Sequence, residues 1–202
     1  MAESTEGTKR VAPRFASPMS DSYREILHRA DTHFDQVRRR LGGHLECRLG
    51  CTGCCHGLFE IGSADVAMIS EALRSLTPES RELLIARSRV ILDTFDAPAT
   101  RECDPAAKAA LFERAIDVAC PALSDDGSCR IYEHRPLVCR TFGLPVREGK
   151  SYLGQECELN FVDAIREEKE FAAWDLEWED AVGVEDQFTV PEAILIASLF
   201  IG

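Results

Sequence analysis

The chain has 202 residues, of which 45% are hydrophobic and 29% charged, and its formal net charge is −12. This length allows one good core, or a helical core with a small lobe tied by metal. The negative charge argues against a general nucleic-acid binder, because phosphate contacts need a basic face. It also disfavours an anionic membrane surface. No apolar run reaches about 18 residues, so we expect no membrane-spanning segment.

The segment 1–19 is polar and lacks the apolar stretch of a secretory signal peptide. Its composition predicts a disordered N-terminal arm. No internal repeat or Gly/Ser-rich linker follows, so residues 20–202 are predicted to form a single cysteine-cluster metal-binding domain. The lack of an export signal predicts a cytoplasmic, reducing location.

Apolar residues recur at helical spacing through much of the chain, which predicts a mainly α fold. The first helix is expected from about Ser20 to Leu41, with Gly42-Gly43 ending it in a left-handed conformation. A second is expected to use Ser63 as its N-cap. Later helices are predicted near three positions that carry a proline: Pro78, Pro105 and Pro191.

Between residues 120 and 161 the periodicity fades, which predicts a small irregular or β lobe rich in cysteine. Residues 125–127 form a turn signal that would join two short strands, the second at 129–132. A short helix is expected around Cys139. Residues 162–178 have helical composition, and the apolar segment that follows Pro191 is predicted to be a buried helix.

Nine cysteines are the most informative feature of the sequence, because thiolates are good ligands for zinc and iron. Eight of them form two groups, Cys47, Cys51, Cys54 and Cys55 in the first, and Cys120, Cys129, Cys139 and Cys157 in the second. Such density without an export signal favours metal ligands over disulfides. The ninth, Cys103, stands apart and is interpreted as a small hydrophobic residue.

The two groups differ in how they would reach a metal. Cys51-x-x-Cys54 lets one tight turn present two sulfurs, and Cys47 adds a third. The second group is too widely spaced to chelate locally and must be assembled by the fold, so metal binding would stabilise the folded state. Two four-coordinate ions, or one cluster and one structural zinc, would both use eight ligands. The alternative is that several of these cysteines are simply buried hydrophobes.

The motifs CTGCC and CPALSDDGSCRIYEHRPLVCRTFG, followed by Cys157, resemble the YkgJ-type cysteine-cluster family, described as a zinc- or iron-chelating CxxCxxCC domain. The resemblance covers roughly residues 47–157. It implies a set of metal ligands that consists of Cys47, Cys51, Cys54, Cys55, Cys120, Cys129, Cys139 and Cys157. It leaves the metal open between zinc and iron, and some members have been called iron–sulfur oxidoreductases.

The spacing Cys47-x-x-x-Cys51-x-x-Cys54 also matches the one with which radical S-adenosylmethionine enzymes hold an iron–sulfur cluster. Gly53 stands where those enzymes usually place an aromatic residue. The predicted helices also lack the repeating strand–helix pattern of their barrel. We therefore disfavour this alternative.

Other polar residues accompany the cysteines. Three histidines are expected to be exposed or to lie behind the ligands: His44, His56 and His134. Arg135 and Arg140 flank Cys139 and would stabilise thiolates, the alternative being a surface ion pair of Arg135 with Glu133. No catalytic residue emerges from any motif.

The sequence thus predicts a cysteine-ligated metal-binding protein that holds zinc or iron, with an iron–sulfur cluster and a redox or electron-transfer role as one form. An iron–sulfur oxidoreductase is the corresponding enzyme class. A zinc-stabilised interaction module and a metal-handling protein are the alternatives. The expected partner is an unidentified protein or redox partner, and neither nucleic acid nor a membrane.

Overall fold

The computed structural model describes residues 19–48, 50–97, 99–180, 182 and 187–201. Of the predicted arm only Met19 lies within these ranges, and its side chain is buried. The fold is mainly α, as predicted. The described residues form eight α-helices: α1 Asp21–Leu41, α2 Ser63–Ser75, α3 Pro78–Thr94, α4 Pro105–Arg114, α5 Leu137–Thr141, α6 Arg166–Ala172, α7 Glu177–Asp180 and α8 Val190–Ser198.

The first helix begins where the sequence predicts, because the Ser20 hydroxyl accepts a hydrogen bond from the Tyr23 N–H at 3.2 Å. Its end differs from the prediction. Gly42 has a φ of −59° and continues into a right-handed 3-10 turn, Gly42–His44, so the expected left-handed cap is wrong. A tighter helical turn takes the chain onward without a left-handed residue.

Helices α3 and α4 begin at Pro78 and Pro105, whose missing N–H groups cost nothing in the first turn. Helix α2 differs slightly from the prediction, since its N-cap is Gly62 and Ser63 is its first residue. The Asp65 carboxylate accepts a hydrogen bond from the Gly62 N–H at 3.1 Å and thereby fixes this start.

Five short strands accompany the helices in the described ranges: β1 Glu60–Gly62, β2 Val146–Glu148, β3 Ser151–Gly154, β4 Trp174–Asp175 and β5 Gln187–Thr189. Strands β1 and β5 form an antiparallel pair. Strand β2 pairs antiparallel with β3 and parallel with β4. The small β component is therefore present, but its strands lie outside the two cysteine-bearing segments, 47–55 (the first cysteine connector) and 120–139 (the second).

Two local predictions in the second half are wrong. The turn at 125–127 joins only an isolated bridge between Leu123 and Cys129, and residues 132–134 form a 3-10 turn in place of a strand. The segment 162–178 is only partly helical, because Trp174 lies in β4. Glutamate and alanine suit a helix, but the parallel pairing with β2 outweighs that local preference.

The largest core forms where α8 packs against α2 and α3. Its fully buried side chains include Ile69, Leu73, Leu84, Ile194 and Ala197. The prediction of a buried last helix is confirmed. Cys120 and Cys129 pack against this core, which anchors the second cysteine connector.

Two large apolar residues of the α3–α4 region are exposed. Val90 of α3 is 63% exposed, and Ile116, two residues beyond the end of α4, is 65% exposed. No helix in the described parts is both long and apolar enough to cross a bilayer.

Candidate metal centre

Three cysteines of the second group lie together with one of the first. Burial is the main cause that raises the pKa of Cys139 well above its usual value, and Cys120, Cys129 and Cys54 raise it further. Burial likewise raises the pKa of Cys120 to about 12, with contributions from Cys129 and Cys54. Thiols affect each other's ionisation only when they are close. We name Cys54, Cys120, Cys129 and Cys139 the inner thiol group.

Backbone hydrogen bonding lowers the pKa of two thiols of the inner thiol group. The N–H groups of Ala122 and Leu123 lower the pKa of Cys120 and partly offset its burial. The Ile131 N–H does the same for Cys129. Such donors stabilise a thiolate more than a thiol, so the backbone around Cys120 and Cys129 favours negative charge on their sulfurs.

A second cluster of thiols brings Cys47 and Cys51, from the first cysteine connector, close to Cys157. Burial raises the pKa of Cys47, and Cys51, Cys54 and Cys157 raise it further. An ideal Cβ placed at Gly143 would lie 3.2 Å from the Cys47 sulfur and 3.7 Å from the Cys157 Cβ, so these residues meet there. We name Cys47, Cys51 and Cys157 the outer thiol group.

Cys54 of the inner thiol group and its neighbour Cys55 lie in the 3-10 turn Gly53–Cys55. A hydrogen bond with the Cys55 side chain is the largest cause that raises the pKa of Cys54, followed by burial. The Cys55 carbonyl accepts the Cys120 N–H at 2.7 Å, which ties this turn to the second connector.

The fold therefore mixes the two groups that the sequence separates. Cys157 joins Cys47 and Cys51, while Cys54 acts on thiols of both neighbourhoods. Cys103 stands apart, as predicted, with its thiol 3.7 Å from the Ala99 carbonyl oxygen. Within the described ranges, no three His, Cys, Asp or Glu side chains are arranged so that they could already hold a metal ion.

Asp65, a buried carboxylate that the sequence did not single out, fixes the start of the helix that carries Cys139. Asp65 accepts hydrogen bonds from the Tyr23 hydroxyl at 2.5 Å and from the N–H groups of Gly62 and Leu137, both at 3.1 Å. Burial raises the pKa of Asp65, and these donors lower it. Its place in the first turn of α2 is the only signal that the sequence offers.

The two arginines beside Cys139 bind α1. Arg135 and the buried Arg140 both form ion pairs with Asp31. Arg140 also donates to the Arg135 and Glu133 carbonyl oxygens, at 3.0 and 2.8 Å. Of the two, Arg135 lowers the pKa of a thiol, and this thiol is Cys129. The arginines therefore hold the Cys139 segment in place. The acidic partner of Arg135 is Asp31, in place of the Glu133 carboxylate of the alternative interpretation.

Histidines lie at the edges of the thiol groups. The ring of His56 is exposed, and its Nδ1 lies 3.0 Å from the Thr52 carbonyl oxygen. Nε2 of the half-buried His44 lies 3.7 Å from a carboxylate oxygen of Glu168. His134 is half-buried. The exposed ring of His56 agrees with the expectation.

Comparison with protein families gives one match, and it decides the family. Residues 46–158, more than half of the chain, match the CxxCxxCC model, described as a "Putative zinc- or iron-chelating domain".

The chain belongs to the CxxCxxCC family.

Comparison with curated proteins and with solved structures finds no match. The match begins one residue before Cys47 and ends one residue after Cys157, so it spans both thiol groups. The donor chemistry fits the metals in the family description, because clustered thiols with N–H donors on sulfur suit zinc and iron alike.

Proposed function

We propose that this CxxCxxCC protein holds zinc or iron through two sets of four thiols. The inner thiol group, Cys54, Cys120, Cys129 and Cys139, would hold one metal centre. The outer thiol group together with Cys55 would hold the other. The proposal is carried by the Cys120 N–H bond to the Cys55 carbonyl oxygen, which joins the two cysteine segments at 2.7 Å, together with the mutual influence of the thiols on their pKa values.

The chemistry of the inner thiol group favours a cation over free thiolates. Burial raises the pKa of its thiols, so without a metal they stay protonated and uncharged at neutral pH. A divalent metal replaces those protons and offsets part of the thiolate charge. The N–H groups of Ala122, Leu123 and Ile131 stabilise the charge that remains.

Metal binding would also complete the fold around the cysteines. The thiols are neighbours but do not yet form a ready metal site, so the metal must draw the sulfurs together. The two sets join three segments of the chain: 47–55, 120–139 and the segment around Cys157. A metal that links distant segments contributes its binding free energy to folding.

The redox part of the proposal applies to the iron-loaded protein, because zinc has no accessible second oxidation state. All eight cysteines are only partly buried by whole-residue exposure. A protein partner that docks over these partly exposed residues would come close enough to a centre held by their sulfurs to exchange electrons. We therefore propose electron transfer, with an iron–sulfur cluster as its carrier, in a cytoplasmic setting that preserves the thiolates.

Serine variants test the ligand set. Cys139→Ser is expected to lose the inner centre, and Cys157→Ser the outer one, each with a lower melting temperature, because serine is a much poorer ligand for zinc or iron. Cys103→Ser is the matched control and should keep full metal content. Metal content measured by elemental analysis decides the matter. Unchanged metal and melting temperature in Cys139→Ser and Cys157→Ser would contradict the assignment.

A further inference from the structure

Asn160 is a buried polar residue that contacts the outer thiol group from beyond the family match, which ends at residue 158. It is 2% exposed. Its Nδ2 donates to the Cys47 sulfur at 3.2 Å and to the Gly143 carbonyl oxygen at 2.9 Å. Its Oδ1 accepts the Glu46 N–H at 2.9 Å. Every polar atom of this side chain therefore has a partner.

These partners fix the orientation of the amide. Rotating it by half a turn would place Oδ1 against the Gly143 carbonyl oxygen and the NH₂ group against the Glu46 N–H. Both contacts would be repulsive. The N–H of Asn160 must therefore face the sulfur of Cys47.

The backbone on both sides is shaped to hold this amide. Phe161 has a φ of +56°, a conformation that bulky residues avoid unless their surroundings impose it. Its ring is fully buried, and its N–H donates to the His44 carbonyl oxygen at 2.8 Å. Gly143 has a φ of +93°, and a Cβ there would lie 2.7 Å from Nδ2 of Asn160. No larger residue would leave room for the amide.

We propose that Asn160 is a positioning residue of the outer metal centre, whose side-chain N–H holds the Cys47 sulfur in place and stabilises its thiolate when metal binds. This inference rests on the proposed function. Groups that hydrogen-bond to metal ligands orient them and tune the metal. An N–H bond to a thiolate also withdraws electron density from sulfur and so alters its bond to the metal.

The variant Asn160→Ala tests the role with Co²⁺ as a spectroscopic probe for zinc. We expect roughly 10–100-fold weaker binding at one centre, as for other residues behind metal ligands. The sulfur-to-cobalt charge-transfer band should move to lower energy, because the unbonded thiolate is the stronger electron donor. Asn160→Leu, which keeps the approximate size and loses the donor without adding a charge, should show the same shift.

Thr100→Val is the matched control. Thr100 is buried and donates its hydroxyl to Glu192 at 2.8 Å, away from the thiols. Its loss should lower stability and leave the Co²⁺ spectrum unchanged. Wild-type affinity and spectrum in both Asn160 variants would overturn the inference. A wild-type chain that binds no Co²⁺ or Zn²⁺ would instead overturn the proposed function.

An experiment on the unaltered chain avoids variants that fold poorly. Asn160 is the only asparagine in the sequence, so ¹⁵N-asparagine labelling gives a single side-chain NH₂ signal pair in NMR spectra. We expect Zn²⁺ to move this pair in step with binding. A pair that stays in place while the wild-type chain binds Zn²⁺ would overturn the inference.

Discussion

At the scale of single residues, Asp65 joins the helices beneath the inner thiol group. Its carboxylate accepts from Tyr23, from the start of α2 at Gly62 and from the start of α5 at Leu137. Cys139 lies two residues beyond Leu137 in α5. One buried acid therefore fixes the start of α5, the helix that carries Cys139.

We expect Asp65→Ala to lower the free energy of unfolding by about 3 kcal/mol or more, because three donors lose their acceptor inside the protein. Urea unfolding measures this change. Tyr23→Phe removes one of the three bonds and should cost about 1 kcal/mol. Asp35→Ala, at an exposed position of α1, is the control and should stay within about 0.5 kcal/mol of wild type. An Asp65→Ala protein as stable as this control would contradict the role of Asp65.

The eight clustered cysteines could be singled out from the sequence, because cysteine spacing is a strong signal, but their division between the inner and outer thiol groups could not. The residues that support them could not be singled out either. Asp65 and Asp31 lie far along the chain from Cys139, and Asn160 lies far from Cys47, although it is only three residues from Cys157. The fold alone brings Asn160 and Cys47 together, across a sequence separation of 113.

At the scale of elements, the Glu192 carboxylate at the start of α8 accepts hydrogen bonds from two threonines, one of them far along the chain. Glu192 accepts from the N–H and hydroxyl of Thr189, at 2.6 and 2.7 Å. It also accepts from the N–H and hydroxyl of Thr100, both at 2.8 Å. The capping box therefore ties the start of α8 to the connector between α3 and α4.

We expect Glu192→Ala to destabilise the protein by about 2–3 kcal/mol, since it removes a cap and leaves buried donors of Thr100 and Thr189 unpaired. Thermal or urea unfolding gives the value. Glu82→Ala, on the exposed face of α3, is the control with little expected effect. Equal stability of the two variants would show that the cap contributes nothing.

Element starts were the most predictable part of the fold, and the segment at 162–178 the least. Thr77-Pro78, Asp104-Pro105 and Thr189 carry their own caps, so local chemistry decides where those helices begin. Trp174 becomes a strand residue only because β2 lies beside it, and its ring packs on Trp178 at 4.8 Å. Strand β2 is distant in sequence from Trp174, so no local pattern around Trp174 predicts the pairing.

At the scale of the whole molecule, the buried thiols link stability to pH. In an unfolded chain a thiol ionises near pH 9, whereas burial raises the pKa of Cys120 to about 12. Between these values the unfolded chain releases a proton that the folded chain keeps. Raising the pH through this window therefore favours unfolding of the metal-free protein.

We expect the free energy of unfolding of the metal-free protein to fall as the pH rises from about 9 to about 12. Urea unfolding at a series of pH values measures the slope. Burial raises the pKa of Tyr23 as well, which adds to the same trend. Cys120→Ala should therefore reduce the slope without abolishing it. A slope that Cys120→Ala leaves unchanged would contradict the burial of this thiol.

The central claim is that the eight clustered cysteines exist to hold metal. Elemental analysis of the full chain, purified without oxygen, tests it most directly when combined with an absorption spectrum. We predict stoichiometric zinc in a colourless sample, or stoichiometric iron in a brown sample that absorbs broadly near about 400 nm. A folded protein that contains neither metal, and takes up neither when offered, would contradict the account.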